Sequence, residues 1–288
     1  MCVMDKRLRL LLACSILAST PALGQIRMLK PFGSPQGSVA QLTTASSSNY
    51  LPPAADPQTG MAPRFFNWLG TNWSNNSGQT WNPNVPYALG FSDTRLRAEL
   101  HDSPFDHGQN DPTDKRRAEI HNKVGLLNNV TYWHAFSYLD QPWTNPAGQK
   151  KAGGGAIHQI HMPDGGSPAI AFRRFPDGSF GVTTNPGGNV KRFKMPMTYG
   201  QPHDIVYRFT LSSAGASNGA LAVWVDGRKM LDLSGVAIGG AGNGYYLCLG
   251  AYYGSGLGGN RIIQEYGNIV PFPTPSDLSS RIAAPPAW

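Results

Sequence analysis

Apolar and polar residues alternate one by one in several short stretches of this chain, a spacing typical of a β-strand with one buried face. The apolar positions of four such stretches are Leu96/Ala98/Leu100, Ile205/Tyr207/Phe209/Leu211, Leu221/Val223/Val225 and Tyr245/Leu247/Leu249/Ala251. With 34 glycines and 24 prolines among 288 residues, turns are frequent, and no helical period persists after the N-terminus. The sequence therefore predicts an all-β fold, a two-sheet β-sandwich of jelly-roll (concanavalin-like) type in which one curved sheet offers a concave substrate groove.

The first 24 residues show the features of a signal peptide in the usual order. Lys6, Arg7 and Arg9 precede an apolar run from Leu10 to Leu17, and Ala22-Leu23-Gly24 resembles a cleavage site. We expect the mature chain to begin near Gln25 and to be secreted or periplasmic. A lipoprotein signal ending at Cys14 would leave a very short apolar region. The apolar run is too short to span a membrane, and no later run of about 18 apolar residues follows, so we expect no membrane partner.

Residues 25–62 are rich in Ser, Pro, Gln and Gly, which predicts a flexible lead-in, and residues 63–288 are expected to form one domain. Loss of residues 1–24 reduces the 24 basic residues by three and the 17 acidic residues by one, which leaves 21 and 16, a net charge of +5. This mild excess favours an anionic polymer as partner. The scattered basic residues match no nucleic-acid-binding pattern. Cys248 would be the only cysteine left, so no internal disulfide can form. We expect the protein to be a monomer.

Gln159 and His161 lie two residues apart in the strand-like stretch Ala156–Pro163, so their side chains point to the same face. An amide can hydrogen-bond an acidic group while a neighbouring imidazole moves a proton. Two further strands offer Arg117, a fixed cation that suits carboxylates, and Tyr252, which can donate or accept a proton. These groups suit β-elimination from a uronic acid, in which the C5 proton is removed, the oxygen on C4 is expelled and the sugar carboxylate is neutralised.

The same residues stand in three motifs, which are in chain order Arg117-Ala118-Glu119-Ile120, Gln159-Ile160-His161 and Tyr246–Tyr252. The motifs resemble the Arg-x-Glu-Leu, Gln-Ile-His and Tyr-Phe-Lys-x-Gly-x-Tyr signatures of jelly-roll polysaccharide lyases that act on alginate. The hairpin sequence Val223–Gly227 and the segment Gly244–Leu247 are more similar to the group of heparin lyase I and glucuronan lyase. The resemblance covers roughly residues 65–270 and implies a lyase that cleaves a uronate polysaccharide, with glucuronan and alginate among the candidate substrates.

The resemblance also implies roles for six residues. His161 would be the base or would position it, and Tyr252 would be the acid or would serve as both acid and base. Gln159 and Arg117 would neutralise the substrate carboxylate, and Arg97 and Tyr246 would be further substrate-binding residues. Because Arg97-Ala98-Glu99 repeats the Arg-Ala-Glu pattern, either copy fits the motif.

One position departs from the pattern, since Cys248 stands where these lyases have Lys. We expect a small buried or groove-lining side chain there, not a nucleophile. The missing cation could come from Arg116, Lys191 or Arg192. Glu119 is expected to hold a neighbouring arginine in place. Five other histidines are expected to be solvated or hydrogen-bonded strand residues: His101, His121, His134, His158 and His203.

The elimination requires no metal or redox cofactor. A structural calcium ion is an additional expectation, because four aspartates stand close together in one polar loop: Asp102, Asp106, Asp111 and Asp114. Their spacing is not that of an EF-hand, and the loop lacks its central glycine.

Two other functions fit a β-sandwich. A glycoside hydrolase needs two carboxylates across the scissile bond, but the mature chain has only Glu99, Glu119 and Glu265, none in the Glu-x-Asp-x-x-Glu arrangement of sandwich glucanases. A non-catalytic carbohydrate-binding module or lectin would use the same fold, with exposed aromatic residues. Trp133, Trp143 and Trp224 would either pack in the core or stack on sugars, and Trp133 is expected in the core. Such a module has no need of an acid and a base, so His161 and Tyr252 favour the lyase.

Overall fold

The computed structural model describes residue 58 and residues 61–282, apart from 70, 83, 93, 108–114, 142–153, 241, 255, 256 and 258–260. The described residues form fifteen β-strands and two short 3-10 turns, Gly78–Thr80 and Pro275–Leu278. Within this part of the chain, no helix is long and apolar enough to cross a membrane. The predicted signal peptide and almost all of the predicted lead-in lie outside the described residues, so those segments stay predictions.

The strands follow one another along the chain with short connections. Their bounds are β1 Phe65–Trp68, β2 Thr71–Ser77, β3 Leu89–Phe91, β4 Leu96–Leu100, β5 Arg116–Leu126, β6 Thr131–Asp140, β7 Gly155–His161, β8 Ile170–Arg174, β9 Phe180–Thr184, β10 Val190–Met195, β11 Pro202–Thr210, β12 Gly219–Val225, β13 Arg228–Val236, β14 Tyr245–Tyr253 and β15 Ile262–Pro271.

The strands form two antiparallel sheets. An eight-stranded sheet has the order β1-β2-β5-β14-β7-β8-β9-β10, and a seven-stranded sheet has the order β13-β12-β11-β6-β15-β4-β3. The two sheets pack face to face, as shown by the ring contact of Phe172 on β8 with Tyr207 on β11, whose centroids lie 4.7 Å apart. The predicted all-β, two-sheet sandwich is therefore confirmed.

The alternating apolar residues form the core between the sheets. Every apolar position of the four alternating stretches named above is buried in one continuous cluster. Alternation decides this because successive side chains of a strand point to opposite faces, so one face of each sheet is apolar and turns to the other sheet. On the eight-stranded sheet, the same alternation places Arg117, Gln159 and Tyr252 on the face turned away from the core.

The hairpin between β12 and β13 explains the Asp226-Gly227 pair. Both residues have left-handed backbone angles, with φ of 52° at Asp226 and 77° at Gly227, as tight two-residue hairpins require. The Asp226 carboxylate also accepts the backbone N–H of Asp204 at 2.8 Å and contacts His203 Nδ1 at 2.8 Å. Trp224 next to it stacks on Trp133 with centroids 5.5 Å apart. Both tryptophans lie on the seven-stranded sheet, on its face away from the core.

Candidate active site

Five of the six residues given roles above converge on one surface, the face of the eight-stranded sheet that is turned away from the core, called the outer face below. These are Arg117, Gln159, His161, Tyr246 and Tyr252. The central strand is β14, which pairs with β5 on one side and β7 on the other. Because directly opposed residues share a face, the strand register decides which outer-face side chains meet. Three cross-strand groups result, and each contains residues from distant parts of the sequence.

The first group surrounds Tyr252. Tyr252 on β14 is opposite Arg117 on β5, and the Arg117 guanidinium carbon lies 4.5 Å from the centroid of the Tyr252 ring. On the other side Tyr252 is opposite Ala156, which in turn is opposite Arg173 on β8. Arg173 is fixed by hydrogen bonds from Nε to Thr183 Oγ1 at 2.9 Å and from Nη2 to Asn189 Oδ1 at 3.0 Å. Burial lowers the pKa of Arg173, and the proximity of Tyr252 opposes that effect. Tyr252 therefore lies between two guanidinium groups.

The second group lies four residues from Tyr252 along β14, where Cys248 is opposite Gln159 on β7 and His121 on β5. Gln159 is almost fully buried and donates from Nε2 to Glu119 Oε1 at 2.7 Å. The amide nitrogen carries two hydrogens, so one remains for a further acceptor. Asn76 on β2 reaches the same group, with its Nδ2 3.4 Å from His121 Nε2.

Glu119 connects the first two groups from below. Its carboxylate is fully buried, and Oε2 lies 3.6 Å from Arg117 Nε and 3.7 Å from His121 Nε2. Burial alone would raise the pKa of Glu119, but the contact with His121, the charge of Arg117 and the Gln159 hydrogen bond hold that pKa below its usual value. Burial lowers the pKa of His121. Glu119 is thus ionised, and it holds the neighbouring Arg117 in place as predicted.

The third group is aromatic. Tyr246 on β14 is opposite His161 on β7, and their rings stack with centroids 5.1 Å apart, while the His121 ring lies 5.5 Å from Tyr246 on the other side. His161 is part-exposed, and its Nδ1 lies 3.0 Å from the Met162 carbonyl oxygen. Since only a protonated nitrogen can donate to a carbonyl, the neutral His161 ring keeps an accepting lone pair on Nε2. Burial raises the pKa of Tyr246, which keeps its hydroxyl protonated.

Small side chains separate the groups. Cys248 is buried, as expected for a small side chain at this position, and burial raises the pKa of its thiol. Gly250 has a φ of 131°, and a Cβ there would lie 2.2 Å from the Ala118 carbonyl oxygen, so no larger residue fits. Ala156 on β7 and Ala171 on β8 are also small. Together with Cys248 and Gly250, they place short side chains between Tyr252 and the Tyr246–His161 pair.

The structure places Arg97 elsewhere. Arg97 is on β4 of the seven-stranded sheet, where it forms an ion pair with the buried Glu99. Of the two Arg-Ala-Glu copies, only residues 117–119 therefore lie with Gln159 and Tyr252, and the expectation that Arg97 joins them is corrected. The reason is strand order, because β4 pairs with β3 and β15 and not with any strand of the other sheet.

None of the candidate replacements for the missing lysine lies beside Cys248. Lys191 is on the outer face, in line with Gln159, but on β10, three strands beyond β7. Arg116 precedes Arg117 and therefore points to the opposite face, where Nη2 lies 3.7 Å from Asp102 Oδ1. Lys191 lies over the Phe175 ring at 5.0 Å, and Arg192 donates to Thr184 Oγ1 at 2.8 Å. The cation that joins Arg117 at Tyr252 is Arg173, which the sequence analysis missed. No motif marks Arg173, and only the pairing of β7 with β8 brings it there.

His121 was also missed as a site residue. It was expected to be an ordinary strand histidine, yet it touches Glu119, Asn76 and Tyr246 on the outer face. The sequence does contain a sign of this, because Arg117, Glu119 and His121 are spaced two residues apart and therefore share one face of a strand. His158, by contrast, is a core residue, with Nδ1 donating to the Cys248 carbonyl oxygen at 2.7 Å and Nε2 bonded to the Tyr207 hydroxyl.

No group of three or more His, Cys, Asp or Glu residues that could hold a metal ion occurs among the described residues. Asp106 of the expected calcium loop is buried and accepts the Tyr87 hydroxyl at 2.9 Å. Asp111, Asp114 and Trp143 lie outside the described residues. The calcium expectation therefore stays a prediction.

The outer face thus combines two guanidinium groups, an amide, two imidazoles and two phenols on one sheet of a β-sandwich. Such a surface can bind an anionic ligand and transfer protons next to it. The comparisons with known proteins define the class. The family model described as Polysaccharide lyase matches residues 68–266, well over half of the chain, and the chain belongs to this family. It is therefore a polysaccharide lyase, an enzyme, and the predicted resemblance is confirmed.

Two solved structures are similar to this chain. Alginate lyase A1-II′, of family 7, has 16% sequence identity and a TM-score of 0.50, covering 75% of this chain and 98% of that chain. At this identity the likeness shows the fold, and it confirms the predicted jelly-roll sandwich. The endo-β-1,4-glucuronan lyase of the fungus Trichoderma reesei has 13% identity and a TM-score of 0.49, covering 73% of this chain and 89% of that chain. The comparison with curated proteins gives no match.

Proposed function

We propose that this enzyme cleaves a uronic-acid-containing polysaccharide by β-elimination on the outer face of the eight-stranded sheet. Family membership supports the reaction class, and the two structural relatives are by name lyases of alginate and glucuronan, both uronate polymers. Alginate, glucuronan and other uronate polymers are the candidate substrates. The modest positive charge argues against a heavily sulfated polymer, which would call for denser Lys and Arg.

The placement of Tyr252 between Arg117 and Arg173 is the observation that carries the proposal. β-Elimination builds negative charge on the sugar carboxylate as the C5 proton leaves, and fixed cations stabilise that charge. Arg117 lies 4.5 Å from the Tyr252 ring, and Arg173 is opposite Ala156, the neighbour of Tyr252. A carboxylate held by the guanidinium groups would bring C5 of its sugar next to the Tyr252 hydroxyl.

The reaction balances without an external reagent. A base takes the C5 proton, and the electron pair of that C–H bond is first delocalised onto the sugar carboxylate. This pair becomes the C4=C5 double bond as the C4–O bond breaks, and the leaving oxygen takes a proton from an acid. The products are an unsaturated uronate and a shortened chain. In this scheme a metal ion is not required, because Arg117 and Gln159 neutralise the carboxylate.

Tyr252 is proposed to act as the acid or as both acid and base, and His161 as the base or as a group that positions it. Nδ1 of His161 is engaged with the Met162 carbonyl, so Nε2 is the nitrogen suited to accept a proton. The register places His161 opposite Tyr246, six residues from Tyr252 along β14, on the same outer face. At about 3.3 Å per residue their backbones are about 20 Å apart, which favours Tyr252 as both acid and base. Gln159, oriented by Glu119, would donate its second amide hydrogen to the carboxylate.

A panel of uronate polysaccharides, including glucuronan and alginate, tests the proposal. The enzyme should release unsaturated product, detected by its ultraviolet absorbance, from at least one of them and not from a neutral glucan of similar length. If none of the uronate polymers gives unsaturated product with folded enzyme, the proposed substrate class is wrong.

The location of the enzyme is part of the proposal. The charged and then apolar N-terminus supports export with removal of residues 1–24, into the periplasm or the medium, where a polymer substrate is accessible. Mass spectrometry of the mature protein should show a chain that begins near Gln25, and retention of Met1 would contradict export.

A further inference from the structure

Phe65 is a large apolar side chain that the core does not use. It is 71% exposed, the most exposed of the large hydrophobic residues among those described. Phe65 begins β1, the edge strand of the eight-stranded sheet, and it is opposite Ser74 on β2. A single exposed phenylalanine is common on protein surfaces, so the argument for a binding role rests on its place at the edge of a groove.

The strand register connects Phe65 to the active site. Phe65 is opposite Ser74, Ser74 is opposite His121, and His121 is opposite Cys248, which is opposite Gln159. These residues therefore form one straight row across the outer face. Neighbouring strands lie about 4.8 Å apart, so Phe65 is about 14 Å from β14, more than one sugar ring spans.

A groove fills the space between Phe65 and the active site. It has a volume of about 670 Å³, within the usual size of ligand sites, and its outer-face lining includes Asn67, Asn72, Ser74, His121 and Lys123. None of the described residues that line it is acidic.

One cation lines this groove and a second contacts Phe65. The Arg64 guanidinium carbon lies 5.7 Å from the centroid of the Phe65 ring, and Lys123 Nζ lies 5.8 Å from the centroid of Tyr246. Lys123 thus connects the groove to the central strand. An aromatic face, amide groups and dispersed cations, without carboxylates, match a chain of sugars that carry carboxylates at intervals.

We infer that β1, β2 and the end of β5 form a remote subsite that binds sugars of the same uronate chain several units from the cleaved bond, with Phe65 as its stacking platform. The inference rests on the proposed function and adds the direction in which the polymer extends. If this subsite exists, it strengthens binding only of substrates that are long enough to reach Phe65.

The test compares Phe65→Ala with the wild type on uronate oligosaccharides of increasing length and on the polymer. We expect kcat/KM to be unchanged on the shortest oligosaccharides that are cleaved and to fall about two- to tenfold on long ones, mainly through KM, as loss of one aromatic stack predicts. Phe65→Tyr keeps the ring and should restore the wild-type length dependence. Because the Phe65 side chain is exposed, neither variant should unfold, which thermal melting checks.

Phe105→Ala is the matched control, since Phe105 is also an exposed phenylalanine, 46% accessible, and does not line the groove. It should leave the length dependence unchanged. Equal losses for Phe65→Ala on short and long substrates, or no loss on either, would overturn the subsite. If the wild type cleaves no uronate polymer, the proposed function itself fails and takes this inference with it, so the two failures are distinguishable.

Discussion

At the scale of single residues, the site is organised around a buried carboxylate that is not expected to react. Glu119 is fully buried, and its pKa is held low by His121, Arg117 and Gln159. Each of these partners is thereby fixed in orientation, which preorganises the face for an anionic ligand. The reacting groups are proposed to lie above it, where Tyr252 stacks on Arg117.

Tyr252→Phe tests the residue that carries the proposed chemistry. The variant removes one hydroxyl and keeps the ring that stacks on Arg117, so stability should be near that of the wild type. Turnover should fall by about 10²–10⁴-fold, the usual contribution of a general acid or base. Ultraviolet detection of unsaturated product gives kcat and KM.

Tyr132→Phe makes the same chemical change on the seven-stranded sheet. The Tyr132 hydroxyl accepts the Leu127 backbone N–H at 3.0 Å, so the control should lose a little stability and keep its turnover. Near-normal turnover of Tyr252→Phe on a substrate that the wild type cleaves would contradict the proposed role.

At the scale of elements, β14 holds the site together because it pairs with both β5 and β7. The pairing with β5 brings its backbone very close at Gly250, where φ is 131° and a Cβ would meet the Ala118 carbonyl oxygen. A register shift between Leu249 and Tyr252 relative to β7 accompanies this glycine. The glycine of the third motif therefore has a backbone reason and need not contact substrate.

Gly250→Ala should destabilise the protein by more than the roughly 1–3 kcal/mol of backbone strain, because the added Cβ also pushes β14 away from β5. Activity should fall with it, since Arg117 and Tyr252 face each other across this pair of strands. Denaturant unfolding and initial rates measure the two effects.

Gly215→Ala is the matched control for the backbone term. Gly215 also has a positive φ, 72°, but a Cβ there meets nothing within 4 Å. It should show the strain cost alone, with activity unchanged. If both alanine variants are equally stable and active, the close approach of β14 to β5 is not a constraint.

At the scale of the whole molecule, two histidines are buried between the sheets. His134 and His158 stack with ring centroids 4.9 Å apart, among the rings of Phe136, Phe172 and Tyr207. Burial lowers the pKa of His158 to about 4, although its hydrogen bond to the Cys248 carbonyl opposes the effect, and burial lowers the pKa of His134 as well. Both rings are therefore neutral in the folded enzyme.

This pair predicts how stability depends on pH. Between about pH 6.5 and 4 the unfolded chain binds a proton at His158 that the folded chain does not, so stability is lost as the pH falls through this window. The loss assigned to His158 amounts to about 3 kcal/mol for a shift of this size. Asp140 works in the opposite direction, because burial raises its pKa to about 7 in spite of Arg174 at 2.8 Å.

The effect of His158 is isolated by comparison with His158→Gln, which keeps a hydrogen-bonding side chain but does not titrate. The unfolding free energy of the wild type should fall relative to that of the variant as the pH is lowered from 7 to 4. Urea unfolding at several pH values measures the difference. Parallel pH profiles for the two proteins would show that His158 is not kept neutral by the fold.

The sequence by itself determined which residues face the core and which share an outer face, because alternation in a strand is a local property. Arg117, Glu119 and His121, or Gln159 and His161, are on one face for this reason alone, and the turn at Asp226-Gly227 is equally local. The motif order was enough to identify the lyase family and its sandwich fold. Only the tertiary structure decided which strands are neighbours. That pairing excluded Arg97, brought Arg173 to Tyr252 and placed Phe65 in line with Gln159, because strand order and register depend on contacts between segments far apart in the chain, which no local pattern encodes.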